Sequence, residues 1–222
     1  MSAQGRQLLG SWHDNAAAWT DAVRSGAIAS RKVTDAAILA AILERRPQKV
    51  LDLGCGEGWL MRALAERGCA VVGVDGSAPL VAAAGADVLQ LSYAQLVAEP
   101  RRAGQGFDLV VANFALLEER IAPLLAAMRR IMTADGWLLV QTLHPLAAGP
   151  PYRDGWRTED FRGFGEAAWT PMPWYFRTLA SWLEVLRAGG FALHGLREPV
   201  DAQDHRPLSL LLEARPATEG ED

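Results

Sequence analysis

Val50-Leu51-Asp52-Leu53-Gly54-Cys55-Gly56-Glu57-Gly58 decides how this chain of 222 residues is read. A short β-prone run, 49–53, ends in a Gly-x-Gly-x-Gly turn, and a helical pattern begins at Trp59. Glycines let the backbone turn sharply and let a ligand approach without a Cβ in the way. The start of the following helix offers free N–H groups to an anion. Such a turn alone is weak evidence, because a tight strand-to-helix connection with no ligand has the same composition. Asp75 strengthens it. This acid ends the next β-prone run, 70–75, and stands 21 residues after Gly54, where a carboxylate can accept both hydroxyls of a ribose. The plain alternative is that Asp75-Gly76-Ser77 is only a turn and a helix cap. Turn and acid together point to an adenosine-type ligand at the C-terminal edge of a sheet.

Outward from this stretch, strands and helices alternate. Residues 34–46 read as a helix, capped by Thr34, striped by Ile38/Ile42 and Leu39/Leu43, and stopped by Pro47. Residues 59–67 read as a second helix, and Ser77 as the cap of a short one that ends at Gly85. Residues 87–91 form a weak third strand and 107–112 a strong fourth. Leu117, Ile121, Leu124, Leu125 and Met128 mark a helix, after which Asp135-Gly136 turns into a fifth strand, 137–143. This alternation predicts an α/β domain with a parallel sheet and helices on both faces. After a helix at 178–188, two strand-like runs, 191–197 and 208–214, follow with no helix between them. A connection that short makes an antiparallel pair.

The chain is expected to be a single domain over 1–222. Its N-terminal helices, within 1–46, are expected to lie over the ligand mouth through Trp12 and Trp19. Residues 145–176 form an irregular insertion rich in proline and aromatic rings, and 216–222 a frayed tail. A long irregular segment is either packed by its own rings or a substrate lid, and both hold together here. Half the residues are hydrophobic and 22% are charged, which excludes disorder. Two cysteines staple nothing. No apolar run approaches the ~20 residues that span a bilayer, and the first residues, MSAQGRQLLGSWHDN, lack the apolar stretch of a secretion signal. A cytoplasmic protein with no membrane partner is therefore expected. The net charge of −4, with only isolated pairs such as Arg45-Arg46 and Arg101-Arg102, disfavours nucleic acid.

Taken together, Val50 to Gly58, Val74-Asp75-Gly76-Ser77 and Phe107-Asp108-Leu109-Val110-Val111-Ala112-Asn113 resemble the class I S-adenosylmethionine-dependent methyltransferases, over about residues 30–214. The acid two residues before the first glycine carries the resemblance. A nicotinamide-binding turn usually has Gly-x-Gly-x-x-Gly, and Trp59 stands in the last place. The resemblance implies a Rossmann-like seven-stranded, mostly parallel sheet with a C-terminal antiparallel strand pair and an aromatic-rich lid. It implies S-adenosyl-L-methionine as cofactor, with S-adenosyl-L-homocysteine as product. Asp52, Gly54, Cys55 and Gly56 would surround the methionine part, Asp75 the ribose hydroxyls and Gly76 the adenine. Relatives often have an acid after the third strand; Ser92 and Tyr93 stand there instead. Asn113 would sit near the sulfonium. Arg31 would pair the cofactor carboxylate, a bidentate task that suits a guanidinium; the plain alternative is a solvated charge at a helix start.

Methyl transfer to a hydroxyl or ammonium also needs a base. His144, just past the fifth strand, is the choice, both as base and as substrate contact; the plain alternative is a bond to the loop backbone. Trp174 and Tyr175 are the expected substrate-stacking rings. There is no Pro-Cys nucleophile pair or Asn-Pro-Pro-Tyr motif of nucleic-acid methylation, and no Cys/His cluster with zinc-ligand spacing, so no metal is expected. The expected partner is a small molecule; a homodimer is allowed by the sequence. The rival readings are a nicotinamide-dependent oxidoreductase and an adenosylmethionine-binding protein without methyl transfer.

Overall fold

In the computed structural model, which describes residues 2–85, 87–164 and 167–218, the glycine turn follows a strand buried on both faces. This strand, β1 (Lys49–Leu53), alternates its side chains between two cores. Leu51 and Leu53 enter one core with Leu124, Leu125, Met128, Trp182 and Leu186. Val50 enters the other with Ile38, Ile42, Leu60 and Leu64. Helices therefore cover both faces.

The main sheet runs β3 (Val88–Gln90), β2 (Ala70–Asp75), β1, β4 (Phe107–Asn113), β5 (Met132–Leu143), β9 (Ser209–Pro216), β8 (Phe191–Arg197). β1 to β5 pair in parallel, and β9 pairs antiparallel with both β5 and β8. This is the seven-stranded, mostly parallel sheet with its closing antiparallel pair that the sequence predicts. The order reverses beside β1, between β2 and β4, which opens a crevice at the C-terminal ends of these strands.

Several local expectations are corrected. Helix α2 (Arg31–Glu44) starts a turn earlier than expected; Thr34 is buried inside it rather than capping it, and its carbonyl accepts from Gln141 Nε2 at 3.0 Å. Ser77 stands at the N-cap of α4 (Ala78–Ala84), but its side chain makes no cap bond; its N–H donates to Asp75. A helix not expected, α5 (Tyr93–Ala98), is closed by a reciprocal Ser92–Gln95 capping box. Helix α6 (Ala122–Arg129) begins five residues after Leu117, which leaves 114–121 as an open segment past β4. Asp135-Gly136 lies within β5, where the β4–β5 register shifts.

The insertion is more ordered than its prolines suggest. β6 (Gly155–Glu159) and β7 (Met172–Phe176) pair as an antiparallel hairpin, followed by α7 (Leu179–Ala188) with Thr178 as cap. Helix α1 (Ala3–Ser25) packs on this hairpin. Leu8, Phe161 and Met172 form their small shared core, flanked by Trp12, Phe164, Trp169 and Trp174. Buried Asn15 joins the two: its Nδ2 donates to the Thr170 carbonyl and its Oδ1 accepts the Thr170 N–H, each at 2.8 Å. The outer part of the expected tail, 219–222, lies outside the described residues.

Candidate functional site

The C-terminal ends of β1, β2 and β4 form the floor of a cavity of about 450 Å³, and α1 with the hairpin forms its roof. That is within the range of small-molecule sites, roughly 300–1,000 Å³. Gly54, Cys55, Gly56, Asp75 and Gly76 line the floor, and so do Arg31, Ser92, Tyr93 and Asn113. Nine of the ten residues expected at a cofactor therefore meet at one cavity. The tenth, Asp52, is buried at the end of β1 and is not on the wall.

The turn is built to leave room. Gly54 has φ +75°, and a Cβ there would lie 2.5 Å from Ala115 Cβ and 3.0 Å from the Tyr93 hydroxyl. Only glycine fits that conformation and that space. The Tyr93 hydroxyl donates to the Ala115 carbonyl at 2.9 Å, which ties the turn to the segment past β4. Tyr93 is half-buried, and burial of its hydroxyl raises that group's pKa well above the usual value. Asp75 accepts the Gly56 N–H at 2.9 Å and the Ser77 N–H at 2.8 Å. Burial raises its pKa, and those N–H donors oppose the rise.

Buried carboxylates at the turn carry unsatisfied oxygens. Asp52 is 1% exposed, and its Oδ2 has no partner. Burial first, and the nearby Asp75 second, push its pKa up to about 7. Glu57, which the sequence reading passed over although it stands inside the turn, is fully buried at its side chain. Its Oε2 meets Arg62 at 2.5 Å and Arg24 at 3.7 Å, while its Oε1 has no partner. Native interiors rarely leave such atoms bare, so orphaned acceptors beside a cavity mark where a donor-rich ligand fits. An ammonium and a ribose, as S-adenosyl-L-methionine carries, fit this donor demand.

Arg31 is anchored rather than solvated. It pairs with Asp35 at 2.8 Å and lies over Trp59, 4.9 Å from the ring centroid. Burial pushes the Asp35 carboxyl up to about 6 despite that arginine. Asn113 accepts from Gln141 Nε2 at 2.8 Å, which fixes its amide at the cavity. Cys55 is buried, and burial drives its thiol pKa far up, so it is no nucleophile.

Two of the expected substrate contacts lie off the cavity wall. His144 is 5% exposed and is not on the cavity wall. Its Nδ1 accepts the Leu146 N–H at 3.1 Å, so its Nε2 carries the proton and donates to Glu198 at 2.8 Å. Both ring nitrogens are thus engaged within the protein. Tyr175 points away from the cavity because β7 alternates its faces: Met172 and Trp174 line the cavity, while Tyr175 lies against Trp156 and Arg177 on the other side. Trp174 lines the cavity as expected, and Trp12 and Trp19 line the roof. Phe161 and Phe164, rings of the expected lid, also line the cavity, as do Glu118 and Glu159, which no sequence signal singled out.

The comparisons with known proteins agree with this geometry. A family model described as a methyltransferase domain matches residues 26–196. An uncharacterized methyltransferase from Synechocystis is 37% identical over 101 residues, 44% of this chain and 48% of that protein. The malonyl-[acyl-carrier protein] O-methyltransferase of Enterobacter lignolyticus is 32% identical over 131 residues, 56% of this chain and 50% of that one. The chain thus spans about half the length of these curated relatives. The crystal structure of an S-adenosylmethionine dependent methyltransferase from Mesorhizobium loti superimposes with a TM-score of 0.59 at 26% identity, covering 80% of this chain and 95% of that one.

Proposed function

The chain belongs to the methyltransferase-domain family, whose cofactor is S-adenosyl-L-methionine, and from that premise we propose that it transfers a methyl group to a small, largely apolar molecule. One observation carries the reading: the glycine turn with Asp75 and the aromatic wall under α1 share a single cavity. When bound, the cofactor supplies a methyl group already activated on a sulfonium sulfur.

The chain's own part is positioning. Asp75, held by the Gly56 and Ser77 N–H groups, keeps lone pairs for ribose hydroxyls. Glu57, on the wall, supplies an acceptor for an ammonium, Asp52, buried behind the turn, adds negative charge beneath it, and Arg31, braced by Asp35, is a cation for a carboxylate. Asn113, the last residue of β4, lines the cavity. Trp12, Phe161 and Trp174 exclude water around the acceptor. Exclusion matters because electrostatic contacts strengthen as the local dielectric falls.

Thermal unfolding with S-adenosylhomocysteine, NAD and NADP added separately tests this. At ~100 times its dissociation constant a ligand stabilises by about 2.7 kcal/mol, a shift of several degrees for a chain of this size. A shift with S-adenosylhomocysteine alone is expected. A shift with NAD or NADP alone would make the chain an oxidoreductase. S-adenosylhomocysteine binding without methyl transfer to any acceptor in a broad amine, phenol and carboxylate panel would favour a binding role.

A further inference from the structure

We infer that the methyl acceptor is an amine carried on a flat apolar skeleton, and that Glu118 is the residue that meets its nitrogen. This rests on the methyl-transfer reading and names the substrate class for that same cavity.

Most charges on the cavity wall already have partners. Arg31 has Asp35, and Glu57 has Arg62 at one oxygen and the cofactor ammonium assigned to the other. Asp75 accepts two backbone N–H groups, and Glu159 accepts the Phe161 N–H at 2.7 Å. Arg206, at the exposed rim, has Asp204 at 3.9 Å. The Glu118 carboxylate lines the cavity with no hydrogen bond or ion pair among the described residues.

Its backbone, by contrast, is held firmly. Arg177, itself buried, donates from Nη2 to the carbonyls of Glu118 and Glu119 at 2.6 Å each. The Tyr175 N–H donates to the Leu117 carbonyl at 2.9 Å. The hairpin thus grips the segment that carries Glu118, as a preorganised contact requires. The same cavity wall carries Trp12, Leu117, Phe161, Phe164 and Trp174, which belong to one aromatic and apolar cluster.

An acceptor that fills this space drives water off Glu118. A carboxylate stripped of water and left without a counter-charge is strongly unfavourable. An anionic acceptor adds repulsion, a hydroxyl returns one neutral hydrogen bond, and an ammonium returns charge and hydrogen bond together. Ring faces also favour a cation. Burial raises the pKa of the Glu118 carboxyl, the positive charge of the chain's N-terminus opposes the rise, and the net rise makes it a better proton acceptor.

The proton balance then closes. A Glu118 oxygen takes one proton from the ammonium and frees the nitrogen lone pair. That pair forms the nitrogen–carbon bond as the carbon–sulfur bond breaks, with its electron pair left on sulfur. The product is a methylammonium, and the Glu118 proton returns to solvent.

The test is calorimetric titration of protein saturated with S-adenosylhomocysteine, using 2-phenylethylamine, 2-phenylethanol and phenylacetate as cationic, neutral and anionic probes. The amine is expected to bind at least tenfold more tightly than the alcohol, with the acid weakest. Glu118→Gln, which keeps the shape, should bring amine and alcohol within about threefold while S-adenosylhomocysteine affinity is retained, which shows that the variant is folded. Trp174→Ala should weaken all three probes together. Equal binding of alcohol and amine by the wild type, an amine preference that survives Glu118→Gln, or no amine binding at millimolar concentration would overturn the amine assignment. Failure of S-adenosylhomocysteine to bind the wild type would instead overturn the methyl-transfer reading beneath it.

Discussion

Asp75 Oδ2 accepts the Gly56 N–H at 2.9 Å, so the acid at the end of β2 fixes the turn that follows β1. The same carboxylate takes the Ser77 N–H at 2.8 Å and so also shapes the start of α4. Three segments at the strand-order reversal therefore depend on one side chain.

Asp75→Ala removes both acceptors and leaves two backbone donors to find water. The expected cost is about 2 kcal/mol in urea unfolding. The affinity for S-adenosylhomocysteine, read by calorimetry, should fall at least tenfold. Asp75→Asn keeps one acceptor oxygen and should lose less stability but still much of the affinity. Unchanged affinity in both variants would remove Asp75 from the ribose.

Gly54→Ala meets two obstacles. The backbone there is left-handed, which costs an alanine roughly 1–2 kcal/mol, and the new Cβ would lie 2.5 Å from Ala115 Cβ. A drop in melting temperature of at least ~4 °C is expected. Because the shift would also push on Tyr93 and Ala115, S-adenosylhomocysteine affinity should fall with it. Ala115→Gly relieves the contact and should recover part of the stability.

The sheet and its ligand edge were legible because their signals are local. β1 ends in glycines, β2 ends in an acid, and the short link between β8 and β9 leaves only one pairing sense. The hairpin β6–β7 was hidden because Pro171 and Pro173 read as breakers, although Pro173 pairs with Thr158 in a two-stranded edge where a missing N–H is tolerated. With the hairpin unseen, the alternation that turns Tyr175 away from Trp174 was unseen too. Glu118 was masked by a helical stripe drawn from Leu117, whereas the helix starts at Ala122. The setting of His144 is non-local: Glu198, which engages it, lies 54 residues away in sequence.

His144→Ala separates a structural histidine from a base. Its ring joins the end of β5 to the segment after β8 through Glu198 and holds the Leu146 N–H. Loss of these contacts should lower stability by about 1–2 kcal/mol, seen as a lower urea midpoint. S-adenosylhomocysteine affinity should stay within twofold, because the ring is not on the cavity wall. With a methylated acceptor in hand, turnover at a temperature well below melting should fall by less than threefold. A loss of a hundredfold or more would restore the ring as the base.

Asp52 makes the apo protein sensitive to pH, with a definite sign. Its folded-state pKa is raised from the usual carboxylate value to about 7, by burial first and by Asp75 second. Between about pH 4 and pH 7 the folded chain therefore binds more protons than the unfolded one, and stability falls as pH rises through that window. Asp35, raised to about 6 by burial, contributes in the same direction. Asp52→Asn removes the Asp52 share. At pH 4.5 the variant should match the wild type closely, and at pH 8 it should be more stable by on the order of 3 kcal/mol. Affinity should move the opposite way: without the negative charge buried behind the turn, S-adenosylhomocysteine should bind at least tenfold more weakly at pH 8. Urea unfolding of both proteins at the two pH values, with titrations at pH 8, reads both effects. An equal stability difference at both pH values would mean that the carboxylate does not titrate in this window. Stabilisation with undiminished affinity would mean that the buried charge serves something other than the cofactor.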